Sequence, residues 1–185
     1  MRNIIRLGIT LMMVCFIAAG SLAATYSLTK ERIALQKMEE QFKAYMELLP
    51  GITSAKDFKE RKDLYPKFKK EYKDLDKVFE GYVEGERVGF IAQKIPKGYK
   101  GPIKLAVGIT LNGKASGIAV IEHSETPGLG AKIEEASFQK QFRGKSLSDP
   151  IEVGEDIDAI SGATTSSKAV TNAVKEALEL CEKIK

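Results

Sequence analysis

The sequence contains one long uncharged and mainly apolar run, LGITLMMVCFIAAGSLAATYSLT at Leu7–Thr29. A helix needs about 20 apolar residues to cross a bilayer, so the run predicts a transmembrane anchor within residues 1–29. Arg2 and Arg6 precede it, and the first acidic residue is Glu31. The positive-inside rule therefore predicts a cytoplasmic N-terminus and an extracytoplasmic main domain. A cleaved signal peptide is the alternative, because SLAA offers small residues, but the run is longer than an ordinary signal-peptide core.

Composition excludes several function classes for the part that follows the anchor. The 185 residues are 29% charged and 43% hydrophobic, which is typical of a globular domain with a core. Without the two N-terminal arginines, 27 basic residues stand against 25 acidic ones, which is too even a balance for a nucleic-acid surface. After the anchor the sequence has one cysteine, Cys181, and one histidine, His123. Neither a disulfide nor a metal site is therefore expected.

Two segments after the anchor show helical periodicity. We interpret residues 30–55 as a helical stalk that ends at PGI, because apolar residues recur at spacings of three and four: Leu35, Met38, Phe42, Tyr45 and Leu49. The charged segment 56–77 begins a similar stripe, made of Tyr65, Phe68, Tyr72, Leu75 and Phe79. We interpret that stripe as the packed face of a segment whose other face is solvated, rather than as a nucleic-acid-binding surface.

From Val78 onward, hydrophobic residues recur at every second position. Strands are predicted at 78–84, 87–94, 103–111 and 114–121, and NG at 112–113 predicts a hairpin between the last two. A short helix near Glu134–Phe142 and a final helix from about Ser166 to Lys185 follow; the final helix has one apolar stripe, Val170, Val174, Leu178 and Cys181. The predicted fold class for residues 56–185 is α+β, an antiparallel sheet of about four strands flanked by helices.

The segment DAISGATTSSKAV at 158–170 places four hydroxyl residues, Thr164–Ser167, before the final helix. They either cap the helix or leave its N-terminus free to bind an anion such as phosphate. The sequence has neither a Walker motif nor GxGxxG. The other candidate, HSETPGLG at 123–130, is a structured glycine loop without a nucleophile-elbow motif, so a hydrolase triad is not expected. The two motifs together suit a phosphorylated planar ligand, and no catalytic residue is assigned.

Five segments, in this order, resemble the RnfG-type, FMN-binding subunit of the Rnf electron-transport complexes: the apolar run, LLPGI, GYKGPI, HSETPGLGAK and DAISGATTSS. They cover essentially the whole chain, which is also similar to the C-type subunit of the sodium-translocating NADH:quinone reductases. The compact length, with short loops, favours the Rnf type. The pair ETPGLG and D-x-x-S-G-A-T is the specific part of the resemblance.

The resemblance implies FMN bound covalently, through its phosphate, to Thr164. It implies a flavin transferase that uses FAD outside the membrane and recognises the motif, with Asp158 as the acidic member. The remaining cofactor-binding residues that the resemblance suggests fall on both motifs: Ser161, Gly162, Ala163, Thr165, Glu125, Thr126, Gly128, Leu129, Gly130, Lys132 and Lys168. The two lysines are included because a cation near the phosphate or the flavin is favourable.

The implied function is electron transfer within an ion-translocating ferredoxin:NAD oxidoreductase of the inner membrane. The redox chemistry belongs to the flavin, so no independent catalytic site is expected. The implied partners are the other membrane subunits and the flavin transferase. The alternatives are the C-type subunit of a quinone reductase, a membrane-anchored module that binds a phosphorylated ligand without redox chemistry, and a purely structural assembly subunit.

Overall fold

The computed structural model describes residues 2–184 and begins with one long helix, α1, at Arg2–Leu48. The chain divides between Glu40 and Gln41 into two units. In the first unit, the hydroxyls of Thr10, Ser21, Thr25 and Thr29 donate to carbonyls of the preceding helical turn; Thr10, for example, donates to the Arg6 carbonyl at 2.9 Å. Asn3–Leu48 is the stretch of the described chain that is long and apolar enough, by length and composition, to cross a membrane.

The second unit contains a five-stranded sheet in which every strand is antiparallel to its neighbour and the spatial order follows the chain. The strands are β1 Phe58–Glu60, β2 Leu75–Val83, β3 Glu86–Lys94, β4 Ile103–Thr110 and β5 Ala115–His123. Glu84 and Gly85, both at positive φ, form the turn between β2 and β3. Gly113, at φ 76°, forms the predicted hairpin between β4 and β5. The predicted α+β fold class is confirmed, and β1 is an additional short strand.

Both faces of the sheet are covered by helix. The long C-terminal helix, α4 at Thr164–Ile184, covers one face and buries the predicted stripe of Val170, Val174, Leu178 and Cys181. The other face is covered by the end of α1 and the residue after it: Tyr45, Leu48 and Leu49 pack with Phe58, Phe79 and Ile91. The other α-helices of the described chain are two single turns, α2 at Leu64–Phe68 and α3 at Ala136–Gln139. Turns of 3₁₀ helix lie at Ala55–Asp57, Gly130–Glu134 and Lys140–Phe142.

The predicted stripe of the charged segment is buried at Phe68, Tyr72, Leu75 and Phe79 and exposed at Tyr65, but the helical periodicity does not correspond to one helix. Only Leu64–Phe68 is α-helical, and Phe79 lies on β2. Phe58, in β1, pairs with Gly81, where a Cβ would lie 2.5 Å from Ile52 Cδ1 and 2.8 Å from Leu49 Cδ1. Spacings of three and four in a short segment did not separate a helix from a turn followed by a strand, and the strand is specified by its pairing with β2.

The stalk and the final helix also differ in detail from their predictions. Leu35 and Met38 are exposed, while Tyr45 and Leu49 of the same stripe are buried. The final helix begins at Thr164 rather than at about Ser166. The difference places Thr164 in the first turn of the helix, where backbone N–H groups have no intrahelical acceptor.

Candidate functional site

A cavity of about 400 Å³ lies where the two predicted motifs meet. Three segments form its walls: the loop after β3, the loop after β5 and the start of α4. The lining residues are Tyr99, Glu125, Thr126, Leu129, Gly130, Gly162, Ala163, Thr164, Thr165 and Ser166. Its volume falls within the range of small-molecule sites in proteins.

The start of α4 presents donors to this cavity. The first intrahelical hydrogen bond runs from the Ser167 N–H to the Ala163 carbonyl at 3.0 Å. Ala163 has no side-chain acceptor, so it does not cap the N–H groups of Thr164, Thr165 and Ser166. Those N–H groups and the positive end of the helix dipole favour an anion at this place.

The four consecutive hydroxyls divide into two pairs. Thr164 and Thr165 are exposed and line the cavity. Ser166 and Ser167 are fully buried. Ser167 Oγ accepts from the Ile160 N–H at 3.0 Å and donates to the Ala163 carbonyl at 3.1 Å, so it holds the turn before the helix. Only the threonine pair is therefore placed to react with a ligand.

Glu125 connects the two motifs. Its carboxylate is buried, with 5% of the residue exposed, and accepts a hydrogen bond from Ser166 Oγ at 2.8 Å. The same carboxylate accepts from the Lys100 N–H at 3.2 Å. The Glu125 N–H donates to His123 Nδ1 at 3.0 Å. Its position is thus fixed by contacts with three parts of the chain.

Two side chains supply apolar surface at the mouth of the cavity. Tyr99 is 75% exposed and Leu129 is 47% exposed. Gly162 has φ of +77°, and a Cβ there would lie 3.1 Å from Leu129 Cδ2. A glycine therefore suits both the backbone conformation and the approach of Leu129. The cavity combines anion donors at one wall with aromatic and aliphatic surface at another, an arrangement that fits the phosphate and the planar ring of FMN.

The structure brings eight of the thirteen sequence-predicted residues to the cavity wall and leaves five away from it. The eight are Glu125, Thr126, Leu129, Gly130, Gly162, Ala163, Thr164 and Thr165. Ser161, Gly128, Lys132, Lys168 and Asp158 are exposed and do not line the cavity. Gly128, at φ +76°, instead forms the turn in which the N–H groups of Leu129 and Ala131 donate to the Thr126 carbonyl.

Sequence reasoning missed Tyr99 and Ser166 as cavity residues. Tyr99 lies in GYKGPI, where an aromatic residue between glycines indicates an exposed ring on a tight loop. Ser166 gave no separate signal, because its role depends on a contact with Glu125, which lies 41 positions away in sequence.

The loop before the helix is anchored by a carboxylate outside the cavity. Asp156 accepts from Lys145 Nζ at 2.7 Å and from the N–H groups of Glu152 at 2.8 Å and Ile151 at 3.2 Å. Burial opposes ionisation, but the Lys145 ammonium and the two N–H donors outweigh it and hold the pKa of the Asp156 carboxyl below its usual value. Residues 2–184 contain no cluster of three or more His, Cys, Asp or Glu side chains suited to a metal.

Known families match this chain over both of its parts. Residues 1–48 match the RnfG N-terminal region, and residues 98–179 match the FMN-binding domain. The G-type subunit of the ion-translocating oxidoreductase complex of Pseudomonas aeruginosa UCBPP-PA14 is 34% identical over 190 residues, which cover 96% of this chain and 88% of that protein.

The chain belongs to the RnfG family.

The predicted resemblance is thereby confirmed, and the cavity of this RnfG-family chain lies in its FMN-binding domain. Another RnfG relative is the G-type subunit of the Na(+)-translocating ferredoxin:NAD(+) oxidoreductase complex of Acetobacterium woodii, 31% identical with 98% of this chain and 93% of that protein covered. Among solved structures, Shewanella oneidensis NqrC is similar, with a TM-score of 0.47, 24% identity, and 55% of this chain and 54% of that chain covered.

Proposed function

We propose that this RnfG-family chain is the electron-transfer subunit of an ion-translocating ferredoxin:NAD oxidoreductase complex and that it carries FMN covalently on Thr164. One observation supports the attachment site above all others. Thr164 is the first residue of α4, is exposed, and lines the cavity of the FMN-binding domain. Its hydroxyl therefore lies beside the N–H groups that favour a phosphate.

The attachment is a substitution at phosphorus, and no atom changes its oxidation state. Thr164 Oγ1 forms a bond to the flavin-side phosphorus of FAD, and the bond between that phosphorus and the bridging pyrophosphate oxygen breaks. AMP leaves, and the hydroxyl proton passes to the flavin transferase or to solvent. A tethered FMN cannot diffuse away from an extracytoplasmic domain.

The residues of this chain bind and orient rather than react further. The N–H groups of Thr165 and Ser166 lie where they would hold the phosphate, and the small residues Gly162 and Ala163 leave room for its approach. Thr126, Leu129, Gly130 and Tyr99 form the remaining wall. FMN, when bound, supplies the one- and two-electron chemistry.

The five predicted residues that lie outside the cavity take weaker roles. Asp158 and Ser161 are exposed on the turn that leads to Thr164, where a modifying enzyme reaches them. Lys132 and Lys168 contribute positive charge at longer range, and solvent screening keeps that contribution small. Gly128 shapes the loop that carries Leu129.

Membership in a membrane complex implies other subunits as partners. We place the N-terminus of α1 in the cytoplasm and the second unit outside, because Arg2 and Arg6 precede the apolar run. The flavin transferase acts on the same side as the second unit. The apolar run itself carries no ionisable carboxylate or amine, so we place no ion path in it.

Thr164→Ala tests the attachment site. The full chain is expressed with a flavin transferase, and flavin fluorescence is measured on a denaturing gel. We expect wild type to fluoresce and Thr164→Ala to lose all covalent fluorescence. The melting temperature should change by no more than about 2 °C, because Thr164 is exposed.

Thr165→Ala is the matched control, since Thr165 is the adjacent exposed hydroxyl of the same cavity wall. It should retain covalent flavin, and the labelled peptide should contain Thr164 by mass spectrometry. Full labelling of Thr164→Ala would show that the attachment residue is wrong. A wild-type chain that binds no flavin under these conditions would contradict the proposed function itself.

A further inference from the structure

The carboxylate of Glu125 is the meeting point of three segments that are distant in sequence. Ser166 Oγ of α4 donates to Oε2 at 2.8 Å, and the Lys100 N–H of the loop after β3 donates to Oε1 at 3.2 Å. Glu125 itself belongs to the loop after β5. Each segment contributes one wall of the cavity. One side chain therefore fixes the spacing between all three walls.

Two glycines leave the space that this carboxylate fills. A Cβ at Gly98 would lie 2.2 Å from Glu125 Oε1, and a Cβ at Gly130 would lie 2.5 Å from Oε2. Both glycines have φ outside the left-handed region, so their backbone conformation does not require glycine. Close approach of the carboxylate accounts for the glycine at position 130, and at position 98 it does so together with Ile103 Cδ1, 2.7 Å from the same Cβ.

The backbone of Glu125 is also held. His123 Nδ1 accepts the Glu125 N–H at 3.0 Å, and His123 Nε2 lies 3.1 Å from Glu134 Oε1. The imidazole thus accepts through one nitrogen and donates through the other. This pairing fixes the ring orientation and, through it, the loop that carries Glu125.

The contacts of Glu125 are directional hydrogen bonds rather than charge pairs. Within residues 2–184, no lysine or arginine forms an ion pair with its carboxylate, and both oxygens accept from neutral donors. Burying a carboxyl group costs free energy that an apolar side chain would not cost. Its presence is therefore better explained by the geometry it imposes than by stability.

We propose that Glu125 is a positioning residue, which acts through Ser166 and the Lys100 N–H to hold Thr164 in the orientation that accepts the flavin. The proposal rests on the proposed attachment at Thr164. Ser166 lies two residues after Thr164 in the same helical turn, so a shift of Ser166 reorients the Thr164 hydroxyl and the adjacent N–H groups. Reaction rates respond steeply to such changes in orientation.

Three variants of the full chain test this role. Glu125→Gln replaces one acceptor oxygen by an amide nitrogen, and Ser166→Ala removes the donor on the helix. Thr171→Val is the matched control, because Thr171 is also a buried hydroxyl residue of α4 but donates only to the Ser167 carbonyl. Each chain is purified without flavin in detergent and incubated with FAD and purified flavin transferase.

The initial rate of covalent labelling is measured against chain concentration. We expect Glu125→Gln and Ser166→Ala each to lower kcat by about tenfold, which is the effect of one lost hydrogen bond, with little change in KM. The double variant should be no slower than the slower single variant, since both changes remove the same contact. Thr171→Val should label at the wild-type rate.

The visible circular dichroism of the attached flavin is a second readout. It should change in Glu125→Gln and Ser166→Ala and stay unchanged in Thr171→Val. Wild-type kcat and wild-type dichroism in Ser166→Ala would overturn the positioning role, even where Glu125→Gln fails to fold. A wild-type chain that is not labelled at all would instead contradict attachment at Thr164, so the two failures differ.

Discussion

Neighbouring residues of the same type serve different purposes at the start of α4. Thr164 and Thr165 face the cavity, whereas Ser166 and Ser167 are buried and hold the helix to Glu125 and to the Ile160 N–H. The direction of each side chain follows from its place in the helical turn, since successive residues are separated by about 100°. A run of four hydroxyls in the sequence is therefore two exposed residues on the cavity wall and two buried residues that hold the start of the helix.

Asp158 provides a prediction about a residue that the fold leaves exposed. Its N–H donates to Gln141 Oε1 at 2.7 Å, and its carboxylate has no comparable contact among residues 2–184. Asp158→Asn should therefore leave the free energy of unfolding within about 0.5 kcal/mol of wild type. Covalent flavin labelling by the transferase should fall at least about tenfold, because the substitution removes the charge that we propose the enzyme recognises.

Labelling kinetics with the transferase and thermal unfolding of the unlabelled chain measure the two effects separately. Glu155→Gln is a suitable control, since Glu155 is another exposed acid of the same loop. Equal labelling of Asp158→Asn and Glu155→Gln would remove Asp158 from the recognition role.

The loop between the last 3₁₀ turn and α4 is ordered by charged hydrogen bonds rather than by regular secondary structure. Asp156 accepts hydrogen bonds from Lys145 Nζ and two backbone N–H groups, and Asp149 accepts one from the Ser146 N–H at 2.8 Å. The Ser146 N–H and hydroxyl outweigh burial and lower the pKa of the Asp149 carboxyl as well. These contacts determine where the chain enters the turn at Ser161 and Gly162.

Asp156→Asn should destabilise the chain in a pH-dependent way. The folded-state pKa of Asp156 is depressed, so its contribution is fully present above the unfolded pKa of about 3.9 and is lost as pH falls through the lower folded value. At pH 7 the variant should unfold about 1–3 kcal/mol more easily, the cost of weakening hydrogen bonds to a charged group.

Denaturant unfolding of both chains between pH 7 and pH 2.5 checks the sign. The difference between wild type and Asp156→Asn should shrink steadily below about pH 4. A difference that stays constant over this range would show that the effect is steric rather than electrostatic.

The whole chain combines a membrane-type helix with a domain that has its own core. The hydrophobic core clusters consist of residues from Tyr45 onward, and the helix before Glu40 exposes its apolar side chains. An exposed apolar surface of this length is favourable in lipid and unfavourable in water. The first unit thus has the surface of a candidate membrane-spanning helix, and the second unit carries the candidate site.

Cysteine labelling of intact cells tests the proposed orientation. Lys70 is exposed in the second unit and Asn3 is exposed at the start of α1. A membrane-impermeant maleimide should label Lys70→Cys in intact cells with a permeable outer envelope, and Asn3→Cys only after lysis. The natural cysteines should stay unlabelled, because Cys15 lies within the apolar run and Cys181 is 2% exposed.

Labelling of Asn3→Cys before lysis, with Lys70→Cys protected, would show that the chain has the opposite orientation to the one proposed. The intact mass of the purified chain answers a second question in the same experiment. A mass that includes Asn3 shows a retained anchor, whereas loss of residues up to SLAA shows a cleaved signal peptide.

Local patterns predicted the elements well where one pattern dominated. The alternation of hydrophobic and polar residues predicted four strands whose ends lie within three residues of the observed ones. The stripe of Val170, Val174 and Leu178 identified the buried face of α4. The segment around Phe58 could not be predicted, because its strand depends on pairing with Gly81, more than twenty positions away in sequence. Local periodicity carries no information about such a partner.

The sequence by itself identified the candidate membrane span, the fold class, the family and the candidate attachment residue, because each depends on hydrophobic pattern or on a contiguous motif. The tertiary structure decided which motif residues share a cavity. It placed Tyr99 and Ser166 there, left Lys132, Lys168 and Asp158 outside, and joined three distant segments at Glu125. Hydrogen bonds between segments depend on the folded path of the chain, and that path is set by packing of the whole core rather than by any one motif.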